Sequence, residues 1–436
     1  MRVISCDVAV IGAGTAGLAA ERAARKVGAD TLIIDDRFAG TTCATVGCMP
    51  SKLLIAAGSA AHRVRQASTF GIRVPQPIID GQAVLERLRG ERDAFVSETL
   101  KEIAHISPTK RIQGRARFID RTTLRLDDSC NVLAKAIVIA TGARPSVPKM
   151  FEVLGELLLT NETIFDLPAL PASIAVVGAG PLGLEIAQAL ARLGVDAEVF
   201  ERSDHVAGLR DEEVAKELRS ILGAEFPIRL GVNLEVAREK DLARVTWSGA
   251  SAGTRWFDRV LIAAGRPPEL FHLNLASTGI PIEKEGMPHV DNATLQCGNA
   301  PIFIAGDANG RRPVLHEASA EGVIAGRNAA TYPDVRPGKR TTALSIMFTD
   351  PPMATIGAPP AETSIVGTGS YAQQGRAKIE ARAAGLVRIY ADRTAGLISG
   401  AVLLGPGMDH MAHLFAWAIE RGETANAGTA ILSPDA

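Results

Sequence analysis

An α/β fold built largely on parallel sheet follows from three features of the sequence. Two glycine turns share one spacing, the strands around them are apolar throughout, and the pattern changes after residue 340. The first turn lies in residues 7–36, DVAVIGAGTAGLAAERAARKVGADTLIIDD. The second lies in residues 172–201, ASIAVVGAGPLGLEIAQALARLGVDAEVFE. Each reads as a β-rich run, a glycine turn, an Ala-rich helix of about twelve residues, a further glycine and a second strand. That is one βαβ unit written twice. Parallel strands joined by a helix are covered on both faces, so they are apolar without alternation. Two Rossmann-like (βαβ) dinucleotide-binding domains are expected, followed by a C-terminal domain of mixed α/β structure. In that last domain residues 385–390 and 395–404 read as strands of a mixed sheet and residues 408–421 as an amphipathic helix.

Composition narrows the function classes. A chain of 436 residues is too long for one core, and two to four domains is the expected range. Its 47 basic and 48 acidic residues leave a formal charge of −1, which argues against nucleic acid or a membrane surface as partner. Asp7 interrupts any signal-peptide core, and no stretch approaches the roughly 18 apolar residues of a membrane helix. A cytoplasmic protein is the expectation. The five cysteines, Cys6, Cys43, Cys48, Cys130 and Cys297, are too few and too odd for a disulfide framework, so a close pair reads as catalytic or metal-binding.

The first turn is Gly12-x-Gly14-x-x-Gly17, with Asp35 eighteen residues beyond Gly17. Gly12 permits the tight turn, Gly14 admits a pyrophosphate to the backbone, and Gly17 lets helix and strand pack. Asp35, at the tip of the next strand, is placed to accept hydrogen bonds from a ribose. The second turn, Gly178-x-Gly180-x-x-Gly183, repeats the pattern, with Glu201 again eighteen residues on. A merely structural turn has no reason to reproduce the acid. Two dinucleotides are implied, most economically a flavin (FAD) and a nicotinamide nucleotide. Glu201 favours the free 2′-hydroxyl of NAD, while the neighbouring Arg202 leaves NADP as the alternative.

Between them lies Gly40-Thr41-Thr42-Cys43-Ala44-Thr45-Val46-Gly47-Cys48-Met49-Pro50-Ser51-Lys52. Cysteines five apart on an ideal helix point roughly 140° away from each other. A disulfide needs Cα atoms within about 7 Å. An irregular helix entrance, helped by Pro50, is therefore expected to bring both sulfurs to one side. A helix N-terminus and the charge of Lys52 favour thiolate there. Zinc would require further Cys or His at ligand spacing, and none is found, so no metal site is expected.

These segments resemble the class I pyridine nucleotide–disulfide oxidoreductases, and among them most closely the dihydrolipoamide dehydrogenases. The resemblance is carried by GAGTAG at 12–17, TTCATVGCMPSK at 41–52, IATG at 139–142, GAGPLGLE at 178–185, AAGRPP at 263–268, IAGDA at 304–308 and FTDPPMATIG at 348–357. It implies an FAD-binding domain over 1–148 and 270–340, an NAD(P)-binding domain over 149–269, and an interface domain over 341–436 that drives homodimer formation. Cys43 matches the interchange thiol, Cys48 the thiol in charge-transfer contact with the flavin, Lys52 the lysine near flavin N5, and Glu185 its ion-pair partner. Thr42, Thr141, Gly142, Gly265 and Gly306 fall in cofactor-binding motifs, and Asp307 matches the acid on the ribityl chain. His316 falls where the family backbone nears the flavin ring. The implied substrate is a small dithiol or disulfide such as lipoamide.

The resemblance fails at the end. The family carries a His-Pro motif and a glutamate there, the acid–base pair of the partner subunit's site. After Glu423 this sequence reads TANAGTAILSPDA, and its last histidines, His410 and His413, fall in the amphipathic helix. Two alternatives follow: an NAD(P)H oxidase or quinone-type reductase, and a redox-sensing flavoprotein with little turnover.

Overall fold

The computed structural model describes residues 2–127, 130–283 and 286–425. Its helices, in chain order, are α1 (Thr15–Lys26), α2 (Thr42–Thr45), α3 (Cys48–Gln66), α4 (Gly81–Ala104), α5 (Pro181–Arg192), α6 (Glu212–Gly223), α7 (Leu315–Thr331), α8 (Gly375–Ile379) and α9 (Met408–Arg421). The chain divides into two compact units. One is Met1–Met49, Gly90–Ser146 and Arg266–Arg340; the other is Pro50–Arg89, Val147–Gly265 and Thr341–Ala436.

The first unit is organised by the strand Arg2–Ile11. It runs parallel to Thr31–Asp35 on one side, Val8 opposite Thr31, and to Cys130–Ile139 on the other, Val8 opposite Ala136. Helix α1 makes the crossover, as the βαβ pattern requires. Val8, Val10, Ile33, Val138 and Ile139 are completely shielded from solvent, each contributing about 1.5–3 kcal/mol by burial. Ile302–Ile304 joins the far side of Cys130–Ile139 in parallel, carrying Gly306 and Asp307 just past its end.

The second unit repeats the device. Ser173–Val177 pairs in parallel with Asp196–Phe200, and α5 makes the crossover. Ile228–Arg229, Arg259–Ile262 and Leu158–Leu159 complete a wholly parallel five-stranded sheet. An antiparallel ribbon, Val232–Glu239, Leu242–Gly249 and Gly253–Phe257, accompanies it. The C-terminal part of this unit departs from expectation. Its five strands, Leu344–Met347, Met353–Gly357, Ile398–Leu404, Leu386–Ala391 and Ile365–Ser370, pair antiparallel throughout rather than as a mixed sheet. The physical reason is connection length: short links such as residues 348–352 and 392–397 have no room for a crossover. Helix α9 covers this sheet with Met408, Ala412 and Phe415, leaving His410 and His413 exposed. From residue 426 onward, the tail that lacks the His-Pro motif lies outside the described residues.

One expectation about membranes needs amending. The segment Thr42–Phe70 is long and apolar enough to span a bilayer by length and composition alone. Part of it is used within the fold: Leu54 is buried in the core, and a Cβ on Gly58 would lie 2.8 Å from the Ala189 carbonyl, so α3 and α5 meet backbone to backbone.

A buried polar cluster ties α6 to the C-terminal sheet. Asp211 caps α6 by accepting from Val214 N–H at 3.1 Å, and it also accepts from Arg388 Nε at 2.9 Å and Tyr390 Oη at 2.7 Å. Burial pushes this carboxyl up, but the three hydrogen bonds and the Arg388 charge outweigh it and hold the group below its ordinary value. A depressed carboxyl contributes stability above its unfolded pKa and loses it as pH falls through the folded one. Asp211→Asn should therefore cost about 2–3 kcal/mol at neutral pH. The gap to the parent should close as pH drops below about 4, which urea midpoints measured against pH will check.

Candidate active site

In the first unit the glycine turn is dictated by contact. Gly12 has φ +104°, and a Cβ on it would sit 2.3 Å from the Ala140 carbonyl oxygen. A Cβ on Gly17 would sit 1.8 Å from the Gly12 oxygen, so only glycine lets α1 pack against its strand here. Gly14 caps α1 with open space around it, no side-chain cap and no acid in the first turn. That leaves the N–H groups and the positive end of the helix dipole available to phosphate. Asp35 does more than the sequence indicates. Its Oδ2 accepts from Ala13 N–H at 2.8 Å, and its Oδ1 from Arg37 and Phe38 N–H at 2.9 and 2.7 Å. The acid expected to meet a ribose thus also locks the turn.

The second unit carries the same construction. Gly178 has φ +113°, and a Cβ on Gly183 would lie 2.1 Å from the Gly178 oxygen. Gly180 again has open space, with Pro181 opening the helix. Glu201 Oε2 accepts from Ala179 N–H at 3.0 Å, and Oε1 from Ser203 N–H at 2.9 Å. Gly265 stands at the end of a neighbouring strand with φ +117°.

A flavin nucleotide fits the first unit on independent grounds. The buried Thr141 Oγ1 and Arg266 Nε have no hydrogen-bond partner among the described residues. Gly142, with φ +74°, leaves open space beside Thr141. Asp307 sits in a short 3-10 turn after Gly306; burial pushes its carboxyl up, and Arg266, 3.7 Å away, offsets this only in part. His316 is an exposed residue in the first turn of α7.

The cysteine segment is interrupted as its spacing demands. Thr41 caps α2 through Ala44 N–H at 3.4 Å, while Thr42, the expected binding residue, is exposed. The helix stops at Val46, and α3 starts afresh at Cys48. A Cβ on Gly47 would approach the Thr42 oxygen to 2.8 Å and Cys43 Cα to 3.2 Å, so the chain doubles back on Cys43 just before Cys48. Cys43 lines a cleft of about 340 Å³, with Leu18, Phe95, Thr99 and Leu315 among its walls. Cys48 is not among the lining residues.

In the second unit, Lys52 Nζ lies 2.9 Å from Glu185 Oε2. Glu185 is 4% exposed on α5, and its Oε1 accepts from Phe348 N–H at 2.7 Å. Among the described residues no group of three or more His, Cys, Asp or Glu is arranged to hold a metal ion.

Comparison with known proteins settles the lineage. The pyridine nucleotide-disulphide oxidoreductase family matches residues 6–322. The chain belongs to that family. The family's dimerisation domain matches residues 344–432 as well, so this pyridine nucleotide-disulphide oxidoreductase carries both parts. Curated relatives include the dihydrolipoyl dehydrogenase of Haloferax volcanii, 29% identical, covering 96% of this chain and 90% of the relative. That of Bacillus subtilis is also 29% identical, covering 93% and 90%. Among solved structures, the HOCl-induced flavoprotein disulfide reductase RclA from Escherichia coli superimposes with TM-score 0.81 at 22% identity, over 96% of this chain and 94% of that one. The protein is therefore a flavoprotein oxidoreductase that uses FAD and a nicotinamide nucleotide.

Two positions in this oxidoreductase escape sequence reasoning. Glu321, 1% exposed on α7, accepts from Gly306 N–H at 2.8 Å and Asn309 Nδ2 at 2.6 Å, fixing the turn that presents Asp307. Phe348 meets Glu185 across 163 positions. Helical spacing and composition carry no signal for either; the FTDPP motif quoted above contains Phe348 without indicating what it touches.

Proposed function

We propose that this protein catalyses dithiol–disulfide exchange of the dihydrolipoyl dehydrogenase type, converting a small dithiol such as dihydrolipoamide and NAD+ to the cyclic disulfide, NADH and a proton. The single observation that carries this reading is that Cys43, and not Cys48, lines the cleft. A thiol on a cleft wall is reachable by a substrate sulfur; Cys48, itself exposed but outside that cleft, is left for the flavin side.

In the oxidised enzyme a substrate thiolate attacks Cys43 Sγ of the Cys43–Cys48 disulfide, breaking that bond, releasing Cys48 as a thiolate and leaving the substrate in mixed disulfide with Cys43. The second substrate thiol then displaces it, so the substrate leaves oxidised and the Cys43–Cys48 pair is left reduced. When bound, FAD supplies the two-electron relay between the cysteine pair and the nicotinamide. Cys48 would supply a thiolate to that cofactor, and Lys52, one turn further along α3, presents a cation anchored by Glu185. Gly12, Gly14, Gly17, Asp35, Thr42, Thr141, Gly142, Gly306 and Asp307 hold the flavin nucleotide. Gly178, Gly180, Gly183, Glu201 and Gly265 hold the nicotinamide nucleotide, with Glu201 selecting NAD. These groups correspond to an FAD-binding domain over 1–148 and 270–340, a nicotinamide domain over 149–269 and a dimer-forming domain over 341–436. A reducing cytoplasm suits the sparse cysteines.

Purified protein should be yellow, and anaerobic two-electron reduction should produce a long-wavelength band that Cys48→Ser removes. Steady-state rates with dihydrolipoamide and NAD+, and with NADH and ubiquinone or oxygen, separate the dithiol reaction from the quinone-reductase and oxidase reactions. Turnover confined to ubiquinone or oxygen would overturn the dithiol assignment.

A further inference from the structure

Helix α5 presents a buried polar stripe, Glu185, Gln188 and Arg192, at spacings of three and four that place them on one face. Their side chains are 4 to 5% exposed, so each needs a partner. All three find one in a single short segment following the strand Leu344–Met347. Glu185 takes Phe348 N–H. Gln188 accepts from Asp350 N–H at 2.8 Å and donates to the Asp350 carbonyl at 2.9 Å. Arg192 Nη1 donates to Asp350 Oδ2 at 2.9 Å. Behind them Glu225 accepts from both Gln188 Nε2, at 2.8 Å, and Arg192 Nε, at 2.7 Å, so the stripe cannot swing away. The backbone of Phe348 is thereby fixed from both sides: by the sheet register Met347 opposite Met353, and by Asp350.

What that fixation delivers is the ring. Phe348 is 37% exposed and joins no core cluster among the described residues. Its ring centroid instead lies 4.6 Å from Lys52 Nζ, cation–π distance. A lysine on a four-carbon stem has many rotamers, and one carboxylate contact leaves much of that freedom. A ring on the second flank removes it. Glu185 cannot do this alone, and Phe348 N–H holds Glu185 as its ring holds Lys52.

We infer that Phe348 is a positioning residue: its main-chain N–H orients Glu185 and its ring fixes the Lys52 ammonium. The inference rests on the reading above that Lys52 serves the flavin, and the experiment separates the two. Holoenzyme variants Phe348→Leu, Phe348→Tyr and Lys52→Met are compared for kcat and KM with dihydrolipoamide and NAD+, for the wavelength of the long-wavelength band, and for thermal midpoint. Phe348→Leu keeps the N–H and a similar apolar bulk. It should lower kcat about three- to fivefold, shift the band, leave the KM for NAD+ unchanged and fold normally. Phe348→Tyr should restore both signals. If Phe348→Leu matches the parent while Lys52→Met alters kcat and band, the inference is overturned and the Lys52 reading stands. If Lys52→Met also changes nothing, the Lys52 reading fails and takes the inference with it. A Phe348→Leu defect that tyrosine does not correct overturns the aromatic contact as its cause.

Discussion

Replacing Cys43 with serine is expected to lower dihydrolipoamide turnover by about a thousandfold or more, while FAD stays bound and NADH still reduces ferricyanide. The two halves of this expectation come from different parts of the molecule. Cys43 lies on the cleft wall, and a hydroxyl in its place has neither the acidity nor the nucleophilicity for exchange with sulfur. The nucleotide turns are built from Gly12, Gly17, Gly178 and Gly183, each clamped by an acid of its own βαβ unit, Asp35 or Glu201, in other segments of the chain. Cys48→Ser should lose dithiol turnover too, but with the long-wavelength band gone. The pair of variants separates the exchange thiol from the flavin-side thiol. A Cys43→Ser protein that keeps more than about a tenth of parental dithiol turnover would remove Cys43 as the exchange thiol.

How much of this could be read in advance depends on whether the determinant is local. A dinucleotide turn is contiguous, because strand, glycines and helix must follow one another within about thirty residues. The duplication was therefore legible, with both acids at the same distance. The break between α2 and α3 was legible for the opposite reason: an ideal helix would keep Cys43 and Cys48 apart, so the sequence required an irregularity. What stayed hidden are side chains serving two partners. Asp35 and Glu201 were read as ribose acceptors, yet each also takes an N–H inside the glycine turn, Ala13 and Ala179. The turn and the acid are therefore one mechanical unit, and that explains why the spacing recurs.

Long-range encounters were hidden for a simpler reason. Glu185 was placed opposite Lys52 only by resemblance, and its second partner, Phe348 N–H, is a backbone group with no sequence signature. The same holds for Glu317 and Glu321, buried acids one turn apart on α7 that share Arg340 at 3.0 and 2.7 Å. The strand directions after residue 340 were misjudged because alternation reports burial, not the direction of the neighbour.

Gly17→Ala and Gly183→Ala should dissociate the two nucleotide functions. At either position the added methyl meets a carbonyl oxygen of the same turn, 1.8 Å away for Gly17 and 2.1 Å for Gly183. Cβ atoms do not come so close, so α1 or α5 must move off its strand, and the N–H groups at its tip move with it. Because Asp35 and Glu201 are hydrogen-bonded into those same turns, each shift should carry the ribose-binding acid along. Overpacking of this kind costs about 1–3 kcal/mol, which a domain of this size can survive as a folded protein. Gly17→Ala should then be purified largely colourless, having lost FAD. Gly183→Ala should remain yellow and should still be bleached by dihydrolipoamide, but its KM for NAD+ should rise by about tenfold or more, the equivalent of some 1.4 kcal/mol of binding. The discriminating measurement is flavin content set against NAD+ dependence in the same two preparations. A Gly183→Ala protein that loses its flavin while Gly17→Ala keeps it would reverse the assignment of the two turns, and equal losses in both would show that they do not act separately.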